Sequence, residues 1–454
     1  MCSILIFDER GHPVSDEALV QANAAQQRRG PDHTEVVRRD DMIFVHNLLH
    51  MTGQRTIQPF TSRDVVALFN GEIYNYKQLI PQAKSDGEVL LPLYRDHGLG
   101  FISAIEEEAA ICIVDFHLNT AMLITDPFAT KPLYYSTSDE RFAAASYASA
   151  LTKLGKTGIQ KVGPGQVMLF RLRSAELVGT WRRWKFDVAN QTVDSYEPWV
   201  EAFKASIAKR SADLVQKIFL GLSGGYDSGL IAAALQDRET PFHAFTILAQ
   251  ENPAVVLERH TMLDPADSTI IDLTKVEFSE QAALLRRDCE PFTCMIPTPH
   301  NYRARPYHML DDKGSVGLGV ICARAKAAGL RIYMSGQGAD EVISDYGRDG
   351  HRIYDHSTLQ GTFPKDLEAV FPWSNFYGGT QQAYIAKEDQ VSGMYGLEGR
   401  YPFLDRDVVQ AFLNLTPAMK NAKYKGPIAA ALDQLDWPYT PDEKVGFSCN
   451  KNLR

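Results

Sequence analysis

The pattern of apolar residues changes once along the chain, and this change restricts the possible folds more than any other feature. Up to about residue 185, short apolar runs such as "DVVALFNG", "AAICIVDF" and "GQVMLFRL" are separated by turn residues, which is typical of antiparallel strands. From residue 217, apolar strands alternate with helical patterns, as in "KIFLGL" followed by "SGLIAAALQ", which favours a parallel α/β sheet. We therefore expect an antiparallel domain followed by an α/β domain.

A helical segment separates the two patterns. The stretch "DSYEPWVEAFKASIAKR" shows helical periodicity after an Asp/Ser start signal, and it follows the polar stretch "KFDVANQT". This predicts a boundary between domains at 2–185 and 195–454. The segment 250–315 is rich in Pro, Asp and Arg, and its pattern assigns no elements.

Composition narrows the class of protein. The 454 residues include 47 basic and 56 acidic ones, for a formal charge of −9, and no cationic block could neutralise a row of phosphates, so a nucleic-acid partner is not expected. There is no apolar run of membrane-spanning length and no secretory signal, so we expect a cytoplasmic protein with no membrane partner. Six cysteines are too sparse for a disulfide framework, and the spacing of Cys289 and Cys294 does not favour zinc.

Two acidic turns in the second half indicate a phosphate site. "KIFLGLSGGYDSGLIAAAL" places a strand, a Ser-Gly-Gly turn and a helix start in succession, which lets backbone N–H groups approach an anion. "YMSGQGADEV" follows another strand, so Asp227 and Asp340 are expected to meet at the carboxyl edge of the sheet and hold Mg²⁺. The alternative is a glycine turn with ordinary helix-capping residues.

Cys2 directly follows Met1. If Met1 is removed, one residue carries both a thiol and an α-amine that titrates near ~8 and serves as its base. "FNGEIYNY" is expected to place Asn70 and Gly71 in a turn after a strand, where they offer an amide and a backbone N–H to an oxyanion, and Asp86 offers a carboxylate to a substrate ammonium group. The alternative is an inert thiol beside a hairpin turn.

These motifs together resemble the asparagine synthetase family, in which a class II glutamine amidotransferase domain precedes an N-type ATP pyrophosphatase domain. The resemblance covers nearly the whole chain. It implies an Ntn-hydrolase-like αββα sandwich, followed by an α/β parallel-sheet domain with added helices. The motifs that carry it are Cys2, RRGPD, FNGEIYN, SDGEV, DPFATKPLYY, GPG, SGGYDS, SGQGADE, LEGRYPFLD and KVGF.

The resemblance implies two linked reactions. Cys2 would attack the side-chain amide of glutamine to give a glutamyl thioester and ammonia, with Asn70 and Gly71 as the oxyanion hole and Glu72 and Asp86 binding the glutamine. ATP would activate a carboxylate as an acyl-adenylate, and the ammonia would reach it through a closed tunnel. Asp227 and Asp340 would hold Mg²⁺. The residues implied for ATP and pyrophosphate are Leu222, Ser223, Gly224, Gly225, Asp227, Ser228, Ile247, Ser335, Gly336 and Lys444.

The stretch VISDYG departs from the family pattern after the acidic pair, and two single positions in the proposed sites depart from it as well. Leu48 stands where an arginine usually binds the glutamine carboxylate, so Arg55 or a neighbour would have to replace it. Gln337 replaces a glutamate, and an amide cannot accept a proton from ammonia, so either the base lies elsewhere or the acceptor is not aspartate. Gln337, Arg400 and the segment 285–310 are the predicted acceptor pocket.

Three hypotheses follow. In the first, the protein is a glutamine-hydrolysing amide synthetase with aspartate as its default acceptor. The second keeps the machinery and assigns a different carboxylate in specialised metabolism. The third is a catalytically quiet scaffold relative. The alternative for Lys444 is a solvated surface lysine, and the oligomeric state stays open, with a homodimer among the options.

Overall fold

The computed structural model describes residues 1–248, 252–297, 302–444 and 449. The chain forms two compact units. The first comprises 1–185 with the short segments 213–216 and 393–397, and the second comprises 186–212, 217–392 and 398–454.

The first unit contains twelve strands and four α-helices among its described residues. The strands are β1 (Ser3–Asp8), β2 (His33–Arg39), β3 (Met42–Leu48), β4 (Phe60–Thr61), β5 (Val65–Ile73), β6 (Glu107–Asp115), β7 (Thr120–Thr125), β8 (Tyr134–Ser136), β9 (Ala143–Ala145), β10 (Gln160–Lys161), β11 (Gln166–Arg171) and β12 (Leu177–Arg182). The helices are α1 (Asp16–Asn23), α2 (Tyr76–Leu79), α3 (Leu90–His97) and α4 (Ala148–Lys153).

These strands form two antiparallel six-stranded sheets, in the orders β10-β8-β9-β1-β3-β2 and β12-β11-β7-β6-β5-β4. Alternation along β3 shows how the layers arise: Met42 and Phe44 lie in the core between the sheets, whereas Ile43 and Val45 lie in a second core with α1 and α4. Helices α2 and α3 share a third core with the outer face of the other sheet. Because both faces of each sheet are covered, the inner strands are continuous apolar runs. The predicted αββα sandwich is confirmed.

The second unit contains nine strands and ten α-helices among its described residues. The helices are α5 (Glu197–Arg210), α6 (Tyr226–Asp237), α7 (Pro253–Thr261), α8 (Lys275–Asp288), α9 (Gly314–Ala327), α10 (Ser374–Tyr377), α11 (Gly379–Met394), α12 (Arg406–Asn414), α13 (Pro417–Lys420) and α14 (Gly426–Gln434). The strands are β13 (Lys217–Gly221), β14 (Phe242–Ile247), β15 (Ser268–Ile271), β16 (Phe292–Pro297), β17 (Tyr302–Tyr307), β18 (Leu330–Met334), β19 (Gly347–Arg348), β20 (His351–Arg352) and β21 (Glu398–Arg400).

Five of these strands form a parallel sheet in the order β15-β14-β13-β18-β21. Strands β13 and β18 are neighbours, and the turns that follow them begin with Leu222 and Ser335. Both acidic turns therefore start at one edge of the sheet, which is where ligands of open α/β sheets bind. The predicted α/β class of this unit is confirmed.

The segment 250–315, which the sequence pattern left unassigned, contains regular structure. It comprises α7, β15, α8, the antiparallel pair β16 and β17, and the start of α9. Helix α8 begins with a capping box in which the Thr274 hydroxyl and the Glu277 carboxylate bond each other's backbone N–H groups. None of the helices in the described part of the chain has the length and apolarity needed to cross a membrane.

Candidate functional site

Cys2 lies immediately before β1 and is buried. Its Sγ accepts a hydrogen bond from the Leu49 N–H at 3.4 Å and donates to the Leu49 carbonyl at 3.7 Å. The Arg29 Nε donates to the Cys2 carbonyl at 3.0 Å, and the Arg29 Nη1 donates to the Tyr147 hydroxyl at 2.8 Å. Met1, which is also buried, is joined to the Cys2 nitrogen by a peptide bond, so a free α-amine at Cys2 requires the removal of Met1.

Asn70 and Gly71 lie inside β5, opposite Ala110 and Ala109 of β6, and not in a turn. The predicted turn, and the hairpin alternative with it, are therefore wrong. The Asn-Gly pair suggested a turn, but its glycine serves a different purpose. Gly71 has a φ of 134° within the strand, and a Cβ there would lie 2.0 Å from the Glu108 carbonyl oxygen. Glycine is required by this conformation and close approach, not by a hairpin.

The side-chain amide of Asn70 is fully buried, and neither its Oδ1 nor its Nδ2 has a hydrogen-bond partner among the described residues. A buried amide without partners is costly in a folded protein unless a ligand uses it. Strand β5, which carries Asn70, contacts β1, which follows Cys2, across the two sheets. These features suit a donor held ready for a bound oxyanion.

The two predicted glutamine-binding acids lie beside Asn70 and Gly71. Glu72 is the next residue of β5 and is buried. Asp86 is also buried, and its carboxylate accepts hydrogen bonds from the Ile73 N–H at 3.0 Å and the Gly87 N–H at 2.9 Å. The structure thus places Asp86 against the end of β5.

Arg55 lies close to the position that Leu48 occupies. The Leu48 carbonyl accepts a hydrogen bond from the Asp32 N–H at 3.0 Å, and the Asp32 carbonyl accepts one from the Arg55 Nη2 at 2.8 Å. Leu48 is buried, whereas Arg55 is exposed. Asp32 therefore links the backbone of Leu48 to the exposed guanidinium of Arg55.

In the second unit, the Ser-Gly-Gly turn is curled tightly before α6. The Ser228 Oγ accepts a hydrogen bond from the Ser223 N–H at 3.0 Å, and the Ser223 Oγ accepts one from the Gly225 N–H at 3.1 Å. The fully buried Arg259 donates to the carbonyls of Ser223 and Gly225. The carbonyls of the loop point to Arg259, and the Ser223 and Ser228 hydroxyls hold two of its N–H groups beside the start of α6, a position that suits an anion.

The second acidic turn approaches the first closely. A Cβ at Gly336 would lie 3.0 Å from the Cβ of Asp227, so glycine allows this approach. A second glycine, Gly338, has a φ of 98°, and a Cβ there would lie 2.4 Å from a methyl of Leu404. Asp340 follows in a short π-helical turn over Ala339–Ser344, a conformation that is frequent at functional sites.

Two lysines connect the two acidic turns. Lys425 Nζ lies 2.5 Å from Asp227 Oδ1 and 2.7 Å from Asp340 Oδ1, and Lys444 pairs with the other oxygen of Asp340. Burial opposes ionisation of Asp340, but the two lysines outweigh it and hold the pKa of Asp340 below its usual value. Sequence reasoning found Lys444 and missed Lys425, because a lysine before the Gly-Pro start of α14 carries no chemical signal.

Half of the predicted ATP residues line one cavity of about 340 Å³, namely Ser223, Asp227, Ser228, Gly336 and Lys444. The predicted metal ligand Asp340 and the predicted acceptor residue Gln337 line it as well. Leu222 and Ile247 are buried beside it at the ends of β13 and β14, and the Leu222 N–H donates to the Phe245 carbonyl. Gly224 and Gly225 lie in the curled loop, and Ser335 is buried at the start of the second acidic turn.

Arg400 does not line this cavity. It is buried on β21, where its guanidinium pairs with Glu398 at 2.9 Å and donates to the Arg210 carbonyl at 2.7 Å. Its own carbonyl accepts a hydrogen bond from the Ser335 N–H at 2.9 Å. Of the residues in 285–310 whose side chains are described, none lines the cavity, and Val445 to Phe447 of the KVGF motif lie outside the described residues.

Glu388 on α11 is a cavity residue that sequence reasoning missed. Its carboxylate accepts hydrogen bonds from the Ser335 hydroxyl at 2.7 Å and the Gln337 Nε2 at 3.2 Å. Burial raises the pKa of Glu388 above its ordinary value, although Lys387 and these donors oppose the shift. The structure therefore places a carboxylate directly behind the amide of Gln337.

Across the described residues, no group of three or more His, Cys, Asp or Glu side chains is arranged to hold a metal ion. Asp227 and Asp340 nevertheless fit Mg²⁺, which is commonly held by one or two carboxylates and the phosphates of its substrate. Their oxygens already converge on one cation, the ammonium of Lys425.

Comparison with known proteins agrees with this geometry. The glutamine amidotransferase domain model matches residues 1–179, and the asparagine synthase model matches 199–369 and 373–445. A Methanocaldococcus jannaschii protein named as a glutamine-hydrolysing asparagine synthetase is 26% identical over 468 residues, covering 91% of this chain and 80% of that protein. The glutamine-hydrolysing asparagine synthetase of Asparagus officinalis is 24% identical, covering 93% of this chain and 72% of that protein.

The first unit is thus a glutamine amidotransferase domain, and the whole chain has the architecture of an ATP-dependent amidotransferase ligase. The chain belongs to the asparagine synthase family, whose model matches more than half of its residues. The predicted family and enzyme class are confirmed.

Proposed function

We propose that this protein is a glutamine-hydrolysing, ATP-consuming amide synthetase. Ammonia from glutamine converts a carboxylate to a carboxamide, with aspartate as the default acceptor and asparagine as its product. The single observation that carries the proposal is the buried Asp227–Lys425–Asp340–Lys444 cluster, of which Asp227, Asp340 and Lys444 line a cavity beside the Ser-Gly-Gly turn. The cytoplasm is the proposed compartment.

In the glutaminase reaction, the Cys2 thiol attacks the amide carbon of glutamine, and its own α-amine takes the thiol proton. Asn70 Nδ2 and the Gly71 N–H stabilise the oxyanion, and Asn70 needs no rearrangement because its amide has no competing partner among the described residues. Glu72 and Asp86 bind the glutamine ammonium group. Arg55 replaces the missing arginine at Leu48 and binds the glutamine carboxylate.

In the synthetase reaction, the turn of Ser223, Gly224 and Gly225 at the start of α6 binds the pyrophosphate portion of ATP. The N–H groups of Ser223 and Gly225 exchange their bonds to the Ser228 and Ser223 hydroxyls for bonds to phosphate oxygens. Ser228 adds a hydroxyl to this cradle. Lys444 lines the cavity and offsets the negative charge that develops on the leaving pyrophosphate, and Lys425 supports it from between the two acids. Leu222 and Ile247 border the adenosine.

Asp227 and Asp340 would hold Mg²⁺. When bound, the ion would offset the negative charge of the phosphates. Lys425 contacts both carboxylates, so it holds the two acids close together.

Glu388 is the proposed proton acceptor for the attacking ammonia. Gln337 cannot serve because its amide has no basic group, but it donates a hydrogen bond that orients the Glu388 carboxylate. This assignment keeps aspartate as a possible acceptor despite the missing glutamate at position 337.

The deciding experiment measures pyrophosphate release from ATP with glutamine present, against a panel of carboxylic acids that begins with aspartate. We expect release that depends on the acceptor and yields the corresponding amide. Release with another acid and not with aspartate would support the specialised-metabolism alternative. An absence of both glutamine hydrolysis and pyrophosphate release would support the scaffold alternative. In the same assay, Glu388→Gln should lower synthesis and leave glutamine hydrolysis unchanged.

A further inference from the structure

An ion pair lines the synthetase cavity and has no role in the reactions above. Lys387 Nζ lies 2.6 Å from Asp312 Oδ2, and both residues line the cavity. The Lys387 side chain is 9% exposed and that of Asp312 is 29% exposed. Asp312 is also fixed at its other oxygen, which accepts a hydrogen bond from the Gly314 N–H at 2.8 Å at the start of α9.

The pair lies close to the proposed chemistry. Lys387 precedes Glu388 on α11, and Glu388 contacts the turn that carries Ser335 and Gln337. Tyr384, one turn earlier on α11, also lines the cavity, and its ring centroid is 4.4 Å from Lys387 Nζ. Lys387 is therefore adjacent in sequence to the proposed base, and Asp312 is paired with it.

An ion pair at this depth is not explained by stability. Desolvating two charges offsets most of their attraction, and apolar residues of similar size usually serve a fold equally well. The Asp312 carboxylate overcomes the unfavourable effect of burial and keeps the pKa of Lys387 above its ordinary value, so the pair presents a full cation and a full anion to the cavity.

The arrangement is complementary to a ligand that carries both charges on one carbon. A carboxylate at Lys387 alone would separate it from Asp312 and leave a partly buried anion without compensation. A ligand with an adjacent ammonium group restores the balance, because the ammonium pairs with Asp312 while the carboxylate pairs with Lys387. The face of Tyr384 stabilises the Lys387 ammonium, the cation that would receive the carboxylate.

Resting on the proposed function, we infer that Asp312 and Lys387 are specificity-determining residues. They bind the α-ammonium and α-carboxylate groups of an amino-acid acceptor, and its second carboxylate is left to react with ATP. Acids that lack either α-group are then poor acceptors.

The test compares amino diacids with matched acids in the full-length protein. The probes are aspartate, glutamate and 2-aminoadipate, each paired with the dicarboxylate that lacks the amino group and the amino acid that lacks the α-carboxylate. Binding is measured by titration calorimetry, and pyrophosphate release is measured separately. We expect at least one amino diacid to bind about tenfold or more tightly than both of its counterparts, the difference typical of one charge-assisted hydrogen bond.

Variants of Asp312 and Lys387 test which residue is responsible for each preference. Lys387→Met should remove the preference for the α-carboxylate, Asp312→Asn should remove the preference for the α-ammonium, and Lys387→Arg should retain the preference for the α-carboxylate. Lys313→Met, at an exposed neighbour of Asp312, is the control and should change neither preference.

Equal binding of the three members of every set by the wild-type protein would overturn the inference, whether or not any variant folds. Variants that weaken all probes equally would also overturn it, because a merely structural pair would do that. Selective binding without pyrophosphate release would keep the inference and reject the proposed synthetase activity. Pyrophosphate release without selective binding of amino diacids would keep the proposed synthetase activity and reject the inference.

Discussion

The two proposed reaction centres differ in how they hold their reacting groups. At Cys2 and Asn70 the partners are mostly neutral, and backbone geometry positions them. Around Asp227 and Asp340 the partners are charged side chains brought together from distant parts of the chain, and Lys425 compensates both acids. Activity at the first centre should therefore depend on single reacting groups. The stability of the second centre should depend on the balance between its acids and lysines.

The largest effect should come from Cys2→Ala. Without the nucleophile, glutamine hydrolysis should fall on the order of 10³-fold or more, whereas synthesis with added ammonia should persist. Glutamate release and amide formation, measured in parallel, check this. Asp227→Ala is the matched opposite, because it should stop pyrophosphate release and leave glutamine hydrolysis intact. Loss of both activities in either variant would contradict the division between the two centres.

The second-largest effect tests charge balance. Lys425→Met leaves Asp227 and Asp340 buried without their shared cation, which should lower the free energy of unfolding by about 3–5 kcal/mol. Urea denaturation measures this. Lys423→Met is the control, because Lys423 is 42% exposed and pairs with the exposed Asp433 at 3.4 Å, so its loss should change stability by about 1 kcal/mol or less. Equal losses in the two variants would show that Lys425 compensates no buried charge.

The same contrast explains what could be predicted from the sequence. Local patterns are sufficient where chemistry and structure come from adjacent residues, as in the Ser223–Ser228 turn. They fail where the partner is distant: Lys425 and Glu388 have no local signal, and only the packing of α14 and α11 brings Lys425 to the two acids and Glu388 to the cavity. Arg400 shows the converse, since a motif residue that resembles a substrate ligand is paired with Glu398 in the interior.

The predicted turn at Asn70 and Gly71 failed for a related reason. An Asn-Gly pair is a strong hairpin signal because glycine accepts a positive φ. Here Gly71 uses that φ inside β5, where the Glu108 carbonyl leaves no room for a Cβ. This restriction comes from the neighbouring strand, β6, which begins at residue 107, and a window of sequence around residue 71 does not contain it.

At the first centre, Asn70→Ala tests whether the unpartnered amide serves the reaction. Its removal should lower kcat for glutamine by about 10²–10³-fold, because one oxyanion donor is lost, and KM should change little. Stability should not fall by much, since the amide has no partner among the described residues. Steady-state glutaminase kinetics with a denaturation control measure both. A raised KM at unchanged kcat would instead assign Asn70 to ground-state binding.

A smaller effect concerns pH at the second centre. Burial, with the adjacent charge of Asp340, raises the pKa of Glu341 to about 7, above its unfolded value. Between the unfolded and folded pKa values of Glu341, the folded state binds more protons than the unfolded state. The contribution of Glu341 to the free energy of unfolding therefore falls as pH rises between these two pKa values, by roughly 1 kcal/mol per pH unit at most. Unfolding free energies of the wild-type protein and Glu341→Gln at pH 5, 6 and 7 isolate the contribution. A difference between them that does not vary with pH would contradict the raised pKa.

The smallest expected effect concerns Arg55, a charged residue at the edge of the otherwise mostly neutral first centre. Arg55 is exposed and donates to the Asp32 carbonyl at 2.8 Å, next to the position where Leu48 replaces the arginine expected of the family. If Arg55 binds the glutamine carboxylate, Arg55→Ala should raise KM for glutamine by about tenfold, with kcat and ammonia-driven synthesis unchanged. Arg63→Ala, at another exposed arginine of the same unit, is the control and should leave KM unchanged. An unchanged KM in Arg55→Ala would mean that another group binds the carboxylate, whereas a fall in kcat would place Arg55 closer to the reacting thiol than the backbone geometry implies.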